Sequence, residues 1–463
     1  MKLSSLTLCA CLSTTLLTAQ DFTGYRTGSQ TGVNGVFFNP ASIAGSRYRW
    51  DVNLFSISTF AGNNQASFRL KNLGDSFNGD SLRNQLFGRN AGAASGMAST
   101  DVHGPSVMLR MGDKWAFAFT TRIRAMANVQ DVDGKLVNKI TEDFSNDPQL
   151  PYTISTNKNM RVTANGWTEF GLSAARVLVD AGEHVVTAGA TVKYLAGAAN
   201  AYMNIDGFTG TLNADFVRQD IYLSNSSGRI AAGFGGVRIS DFDAKQLTKM
   251  NSRGAGADLG IVYEFKPREN KDRYKLKLAV SLLDIGSIRY KRDEQRSGAY
   301  TIGITGNERL YFNDLNGLEL DDYKTFFNSR PDLFTPAAGS GQTNYQVALP
   351  ATLNTEIDYH ISNGVYVHLG SLLSLTSENK LANSYYNNSV MLTPRYEGKI
   401  ASFWLPLSYN NLTKWNAGFS VQVGPVFVGS GSVLTALTGD SKQADFHVGV
   451  RFGKLMKAKK TSD

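Results

Sequence analysis

The segment Asp445-Phe-His-Val-Gly-Val-Arg-Phe452, close to the end of the 463-residue chain, alternates between apolar and polar residues. Successive side chains of a β-strand point to opposite faces, so this segment has one apolar and one polar face as a strand. The apolar face carries Phe446, Val448, Val450 and Phe452, and the other face carries Asp445, His447, Gly449 and Arg451. Such a strand lies between an apolar environment and a polar one.

The same alternation recurs along most of the chain. Apolar residues in these segments are two apart, whereas a helix would place them three and four apart. The segments are 48–54, 115–119, 169–174, 185–194, 258–265, 275–282, 353–361, 365–369 and 419–423. Many strands of this kind predict a closed all-β barrel with lipid outside and water inside. A soluble β-sandwich or propeller is the alternative fold, because its strands alternate as well.

The connections between these segments are of two lengths. Tight turns are predicted at 111–114, 361–364 and 411–414, and long polar, irregular stretches at 71–104, 132–161, 200–253 and 291–350. Bacterial outer-membrane barrels have short periplasmic turns and long outer loops, and the segments here predict about 12 to 16 strands. Aromatic residues at segment ends are predicted to lie in interfacial girdles. They are Trp115, Tyr290, Trp404 and Trp415.

The N-terminus has the pattern of an export signal. Lys2 supplies the positive start, residues 3–17 are mostly apolar or small, and Ala19 precedes a predicted cleavage before Gln20. Both cysteines, Cys9 and Cys11, lie inside this signal, although a lipidated Cys11 is an alternative. A mature chain without cysteine excludes disulfides, thiol catalysis and thiolate metal sites.

The charge of the chain favours lipid over nucleic acid as a partner. The net charge of +8 becomes +7 when Lys2 leaves with the signal, and part of it lies in a basic tail at 454–463. An exported chain rarely meets nucleic acid, so this tail is predicted to contact anionic lipid headgroups or solvent.

Residues 35–44, Gly-Val-Phe-Phe-Asn-Pro-Ala-Ser-Ile-Ala, resemble the Asn-Pro-Ala element near the mature N-terminus of the long-chain fatty-acid transporter (FadL) family. Barrels associated with type IX secretion in Bacteroidota, the PorV and PorQ group, carry similar elements. More of the chain resembles an uncharacterised outer-membrane barrel family from the same bacteria. The pieces that carry this resemblance are Asn39-Pro-Ala41, Ser281-Leu-Leu-Asp-Ile-Gly286, Leu349-Pro-Ala-Thr-Leu353, Pro394-Arg-Tyr396, Leu405-Pro-Leu407, Gly424-Pro-Val-Phe-Val-Gly429 and the closing strand.

The resemblance implies a transmembrane antiparallel β-barrel, FadL-like, of about 14 strands. It also implies that the segment before Tyr48 folds into the lumen as a short N-terminal hatch. Asn39, Pro40 and Ala41 form the candidate hatch turn, because proline fixes its own φ and the asparagine side chain can bond nearby backbone. An ordinary turn before the first strand is the alternative.

Residues that commonly carry catalysis or bind metals form no recognisable motif in the sequence. The five histidines include no His-Glu-x-x-His array, and there is no Gly-x-Ser-x-Gly element. Glu356, Asp358 and His360 share one strand face and form a candidate proton or cation site in the lumen, with a solvated wall as the alternative. No cofactor or metal is predicted, and a lipid hydrolase with Ser and His at the rim is the enzyme alternative.

The sequence therefore predicts a signal peptide (1–19), an N-terminal segment or hatch (20–47), an outer-membrane β-barrel (48–453) and a basic tail (454–463). The predicted protein is a non-enzymatic integral barrel of a Gram-negative outer membrane. It passes hydrophobic or small solutes and contacts membrane lipid and a hydrophobic small-molecule ligand. Two alternatives are an envelope component of type IX secretion or surface assembly, with secretion proteins as partners, and a soluble β-rich binding protein of the periplasm or surface.

Overall fold

The computed structural model describes residues 22–72, 84–86, 92–134, 136–137, 150–237, 252–268, 273–318, 322–337, 343–377 and 380–456. The predicted signal peptide and most of the predicted basic tail lie outside these ranges. Among the described residues, no helix is both long and apolar enough to cross a membrane.

The described residues form one 23-stranded sheet. Its strands are β1 (Tyr48–Asn63), β2 (Ala93–His103), β3 (Ser106–Met111), β4 (Trp115–Asp133), β5 (Tyr152–Ser155), β6 (Asn159–Ala181), β7 (His184–Asp215), β8 (Asp220–Gly236), β9 (Ser252–Phe265), β10 (Leu276–Lys291), β11 (Gly298–Ile304), β12 (Leu310–Tyr311), β13 (Phe334–Pro336), β14 (Asn344–Ala348), β15 (Thr352–Ser362), β16 (Val365–Ser374), β17 (Ser389–Glu397), β18 (Ala401–Trp404), β19 (Leu407–Asn410), β20 (Lys414–Ala417), β21 (Phe419–Val423), β22 (Val426–Ser430) and β23 (Gln443–Leu455).

Short helices precede β1 and lie in some of the connections between strands. Among the helices that the structure describes in full, two are α-helical, α1 (Tyr323–Ser329) and α2 (Val433–Thr438). The others are 3₁₀ turns at Tyr25–Thr27, Gly32–Phe37, Pro40–Ile43, Leu70–Asn72 and Phe312–Leu315.

The sheet closes into a barrel because β23 pairs antiparallel with β1. The wall has 14 strand positions, as the sequence predicted. Four of these positions consist of two consecutive strands: β2–β3, β14–β15, β18–β19 and β20–β21. Three of the four interruptions contain a proline (Pro105, Pro350 and Pro406), which cannot donate a hydrogen bond to a neighbouring strand.

The two ends of the barrel differ. At one end, here called the turn end, residues 112–114, 182–183, 363–364 and 424–425 connect strands, and β1 begins and β23 finishes. The opposite end, the loop end, carries most of the long connections. The tight turn predicted at 411–414 joins β19 to β20 at the loop end, because β19 pairs with the loop-end part of β17. The tight turn is present as predicted, but it lies at the opposite end of the barrel from the other short turns.

All four stretches predicted to be irregular contain ordered strands. β7 runs out beyond the wall and pairs there with β5 and β8, and β8 pairs with β11 and β12. An apolar cluster stabilises this outer sheet, with Phe208, Leu223, Ile302, Phe327 and Phe334 among its members. Strands as short as β12 and β13 contain too few residues to show a period, which is why the alternation missed them.

Side chains of the wall alternate between a buried inner face and an exposed outer one. On β4, Ala116, Ala118 and Thr120 are buried, whereas Phe117 and Phe119 are about two-fifths exposed, at 41% and 42%. The same outward apolar surface continues round the barrel and is here called the apolar belt. It includes Leu109, Leu172, Val192, Leu259, Ile261, Leu278, Val280, Ile357, Leu369, Leu392, Phe403, Phe419 and Phe452.

The predicted aromatic girdles are only partly present. Trp115 and Trp415 are exposed on the outside, at 41% and 73%. Tyr290 and Trp404 are 1% and 3% exposed and face the lumen, so their assignment to a girdle was wrong. Both occupy inward positions of the alternation and pack in apolar clusters inside the barrel.

Candidate functional site: the filled lumen

Two segments of the chain lie inside the barrel. The first is residues 22–47, here called the N-terminal segment, whose side chains are mostly buried. The second is residues 380–388, part of the connection between β16 and β17, here called the inward loop. The N-terminal segment contacts the turn-end half of the wall, and the inward loop contacts the loop-end half.

The predicted hatch turn lies at the centre of the N-terminal segment. Asn39 caps the 3₁₀ turn Pro40–Ile43, because its Oδ1 accepts a hydrogen bond from the Ala41 backbone N–H at 2.9 Å. Its Nδ2 also donates to the backbone carbonyls of Ile261 (3.4 Å) and Val280 (3.2 Å) on the wall. Asn39 thus stabilises the turn and attaches it to β9 and β10.

Small residues in the wall make room for this turn. A Cβ at Gly189 of β7 would lie 2.6 Å from the Ala41 backbone nitrogen. A Cβ at Gly260 of β9 would collide with the Asn39 side chain. Further along the segment, Val33, Val36, Ile43 and Ala44 pack on inward alanines of the wall, which are Ala116, Ala118 and Ala175.

Charged side chains of the wall hold the main chain of the N-terminal segment. Asp51 accepts from the Val33 N–H at 2.8 Å and forms an ion pair with Arg451, which itself donates to the Gln30 carbonyl at 2.5 Å. Glu397 accepts from both the backbone N–H of Ser29 (2.7 Å) and its hydroxyl. These contacts are polar and non-covalent.

Tyr25 attaches the beginning of the segment to β22, the strand next to β23. Its ring stacks on Phe427 with centroids 3.7 Å apart and an interplanar angle of 4°. The neighbouring Phe22 and Trp404 complete an aromatic cluster. Burial raises the pKa of the Tyr25 phenol, so this side chain is neutral when it is seated.

A band of charged residues crosses the middle of the lumen. Arg124 of β4 donates to Asp284 of β10 at 2.7 Å and to Glu169 of β6 at 3.1 Å. Lys193 of β7 lies 2.6 Å from Asp284 and 2.7 Å from Asp258 of β9. Together with Asp101 and Arg122, which pair with each other, these residues form the charged band. Six adjacent wall positions contribute to it.

Sequence reasoning did not identify the charged band. Its members were visible only as single polar residues at inward positions, and their partners lie far apart in the sequence. The one local signal is the pair Arg122 and Arg124, two cations at consecutive inward positions of β4, which require buried anions nearby.

The predicted polar cluster of Glu356, Asp358 and His360 lies on the inner face of β15, near the turn end. Asp358 is fully buried and binds Arg395, whereas Glu356 lies 3.5 Å from Lys277. The His360 ring stacks on Tyr366 with centroids 4.5 Å apart. The three residues thus contact three different partners and do not converge on one point. The alternative interpretation, a wall in contact with water, does not apply to Asp358, because this residue has no exposed surface.

The inward loop binds to the wall through hydrogen bonds from several strands. Asn128 donates to the Tyr385 carbonyl at 3.0 Å, and Asn165 donates to the Ala382 carbonyl at 3.2 Å. Arg124, from the charged band, donates to the Tyr386 hydroxyl at 2.6 Å. Around Tyr386 lies an apolar cluster that includes Phe60, Met97, Met126, Trp167, Ile288 and Leu349.

A small cavity lies beside the inward loop. A cavity of about 10 Å³, roughly enough for one water molecule, is lined by Asn165, Trp167, Tyr290, Leu349 and Ser384 among others. Within the described ranges, no group of three or more His, Cys, Asp or Glu residues could hold a metal ion. Within the described residues, two segments of the chain itself therefore occupy the lumen.

A known sequence family covers most of this barrel. Its profile, described as a family of unknown function (DUF5723), matches residues 40–431. The chain belongs to this family. The match runs from Pro40 of the hatch turn to the residue after β22. The more specific relationship to the PorV and PorQ group and to Bacteroidota stays a prediction.

Several solved structures are similar to the chain. A FadL homologue from Pseudomonas aeruginosa is 10% identical, with a TM-score of 0.44, and the match covers 93% of this chain and 96% of that one. The toluene transporter TbuX from Ralstonia pickettii is 11% identical, with a TM-score of 0.42, covering 94% of this chain and 97% of that one. Among curated proteins, none matches the chain significantly.

Proposed function

We propose that this protein is a non-enzymatic outer-membrane β-barrel that passes hydrophobic or small solutes when the N-terminal segment leaves the lumen. The apolar belt supports the location, because an outward apolar band around a closed antiparallel barrel matches the hydrocarbon layer of a bilayer. The inner face of the same strands is different, because it carries buried polar groups that are hydrogen-bonded inside the barrel.

One observation carries the proposed passage: a separate segment of the chain occupies much of the turn-end half of the lumen. Beside the hatch turn and the residues packed with it, the wall carries Ala116, Ala118, Ala175, Gly189 and Gly260, which are too small to fill the space themselves. When the segment leaves, these residues border an opening. A barrel with a purely structural core would fill its lumen with large wall side chains.

The contacts of the segment are suited to reversible release. Polar contacts such as Ser29 to Glu397 and Val33 to Asp51 are bonds that water can replace. The segment continues directly into β1, so that it swings out as a hatch and stays attached to the barrel.

A reversible disulfide tests the proposal. A Cβ at Gly431 would lie 2.9 Å from the Thr23 Cβ, so that a small shift brings Thr23→Cys and Gly431→Cys to the spacing of a disulfide. The mature chain contains no other cysteine, since Cys9 and Cys11 lie in the predicted signal. Oxidation would fix the segment at both of its ends inside the lumen.

The expected result is that the oxidised double variant, reconstituted in planar bilayers, has little or no conductance, and that reduction restores the conductance of the wild type. Each single cysteine variant serves as the control and should be insensitive to the redox state. Equal conductance of the oxidised and reduced double variant would contradict the proposal, provided that both run faster unheated than boiled on a gel, as closed barrels do.

A further inference from the structure

The inward loop is held by its main chain as much as by its side chains. Asn165 and Asn200 both donate to the carbonyl of Ala382, at 3.2 Å and 3.1 Å. Arg161 donates to the carbonyl of Lys380. Every residue type has a backbone carbonyl, so these contacts do not depend on the sequence of the bound segment.

Asn128 makes the strongest case for recognition of a peptide bond. Its Nδ2 donates to the Tyr385 carbonyl at 3.0 Å, and its Oδ1 accepts from the Tyr385 N–H at 3.2 Å. A side-chain amide that pairs with both backbone groups of one residue acts as a short piece of β-ladder. The Asn128 amide therefore recognises the main chain of a polypeptide, whatever side chain the bound residue carries.

The side chains of the loop occupy a cleft of mixed character. Asn165 donates to the Ser384 hydroxyl at 2.6 Å, and Arg124 donates to the Tyr386 hydroxyl at 2.6 Å. Otherwise Tyr386 is surrounded by the apolar cluster that includes Trp167 and Met126. The cleft therefore accommodates an aromatic side chain and small polar ones.

We propose that the loop-end half of the lumen is a binding cleft for short peptides, which the inward loop occupies in their absence. This inference rests on the proposed passage and specifies its solutes. When the loop leaves, three donors on the wall of the lumen lose the loop carbonyls that accepted their hydrogen bonds. They are the side-chain amides of Asn128, Asn165 and Asn200. A peptide restores those acceptors, whereas a hydrocarbon offers none to Asn128 and Asn165, which is unfavourable for buried polar groups.

The experiment separates the cleft from its own loop. In the full-length protein, residues 380–388 are replaced by a Gly-Ser linker of equal length. Two fluorescent peptides are the probes: the sequence of residues 380–388 itself, Lys-Leu-Ala-Asn-Ser-Tyr-Tyr-Asn-Asn, and the same residues in scrambled order. Fluorescence anisotropy in detergent measures their binding.

Both peptides are expected to bind the loop-replaced variant, with affinities within about tenfold of each other, because the contacts are mainly to the backbone. The intact protein should bind them at least about tenfold more weakly, since its own loop competes at high effective concentration. Adding Asn128→Ala to the loop-replaced variant should weaken binding about tenfold, the effect of losing a buried hydrogen-bond pair. Asn204→Ala, which removes a buried asparagine bonded to Asn159, should leave binding unchanged.

Three results would overturn the inference. The first is that neither peptide binds, although the loop-replaced variant runs faster unheated than boiled on a gel and is therefore folded. The second is that only the ordered sequence binds, and the third is that p-cresol binds as tightly as the peptides. The last result would assign the cleft to small aromatic molecules. Loss of peptide binding with redox-controlled conductance intact would reject this inference alone. Peptide binding together with redox-insensitive conductance would support the cleft and contradict the proposed passage.

Discussion

Arg395 of β17 and Asp358 of β15 form a two-point ion pair on the inner face of the barrel, across the intervening strand β16. Arg395 donates from Nη1 to Asp358 Oδ1 at 2.8 Å and from Nη2 to Oδ2 at 2.7 Å, and neither side chain has exposed surface. Arg395 also donates to Glu397 at 2.7 Å. Since Glu397 binds Ser29, this pair connects the wall to the N-terminal segment.

Replacing Asp358 alone should strongly destabilise the barrel. Asp358→Ala leaves the buried Arg395 without its main partner, and removing one member of a buried ion pair costs about 3–5 kcal/mol. The triple variant Asp358→Leu, Arg395→Met and Glu397→Gln should recover most of that loss, because it removes the buried charge of Arg395 together with those of its two carboxylate partners. Guanidinium unfolding in detergent micelles measures both.

The control for this cycle is an exposed ion pair. Arg69 and Asp440 lie 2.6 Å apart with more than half of each side chain exposed, at 54% and 58%. Arg69→Ala should therefore change the free energy of unfolding by less than about 1 kcal/mol. Similar losses for Asp358→Ala and Arg69→Ala would show that the lumen is solvated and the buried pair is not a structural element.

Removing the hydroxyl of Tyr386 should loosen the inward loop without unfolding the barrel. Tyr386→Phe deletes the 2.6 Å hydrogen bond from Arg124, and a hydrogen bond to a charged group is worth about 1.5–3 kcal/mol. We expect more frequent channel openings in single-channel recordings. Tyr409→Phe, a change on the outer face of β19, is the control and should open as often as the wild type.

Gly189 should be intolerant of even one methyl group. Gly189→Ala places a Cβ 2.6 Å from the Ala41 backbone nitrogen, so the hatch turn must shift away from β7. The expected result is faster proteolysis of the N-terminal segment and a higher basal conductance. Gly303→Ala, where a Cβ meets no atom within 4 Å, should change neither. Normal protease resistance in Gly189→Ala would mean that the turn is not seated against β7.

High pH should release the N-terminal segment through Tyr25. Burial raises the pKa of this phenol above its ordinary value of about 10, so the seated segment favours the protonated form. The contribution of Tyr25 to seating is therefore complete below about pH 10 and is lost as the pH rises through the raised pKa. Conductance of the wild type should increase in this range, and Tyr25→Phe should remove the increase.

The sequence predicted the barrel well because its signal is local. One strand such as β23 shows both faces by itself, and the burial of Asp445, His447, Gly449 and Arg451 follows that alternation. The contents of the lumen depend on contacts between distant residues, such as Arg124 with Tyr386 or Asn39 with Val280. Alternation also cannot locate a register shift such as the one between Leu282 and Ile285 of β10, after which Tyr290 faces the lumen. Trp404 ends the four-residue β18, which is too short to show a period.

A charge on the apolar belt should distinguish a membrane barrel from a soluble one. Val192 of β7 is 68% exposed on the outer face of the wall, and Val217 is 96% exposed at the tip of the hairpin between β7 and β8. An arginine on the lipid face of a barrel costs up to about 2–4 kcal/mol near the middle of the bilayer. Val192→Arg should therefore reduce the folding free energy into lipid vesicles by an amount in this range, whereas Val217→Arg should have almost no effect. In a soluble protein both exposed valines would tolerate arginine, so that equal behaviour of the two variants would contradict insertion into a membrane.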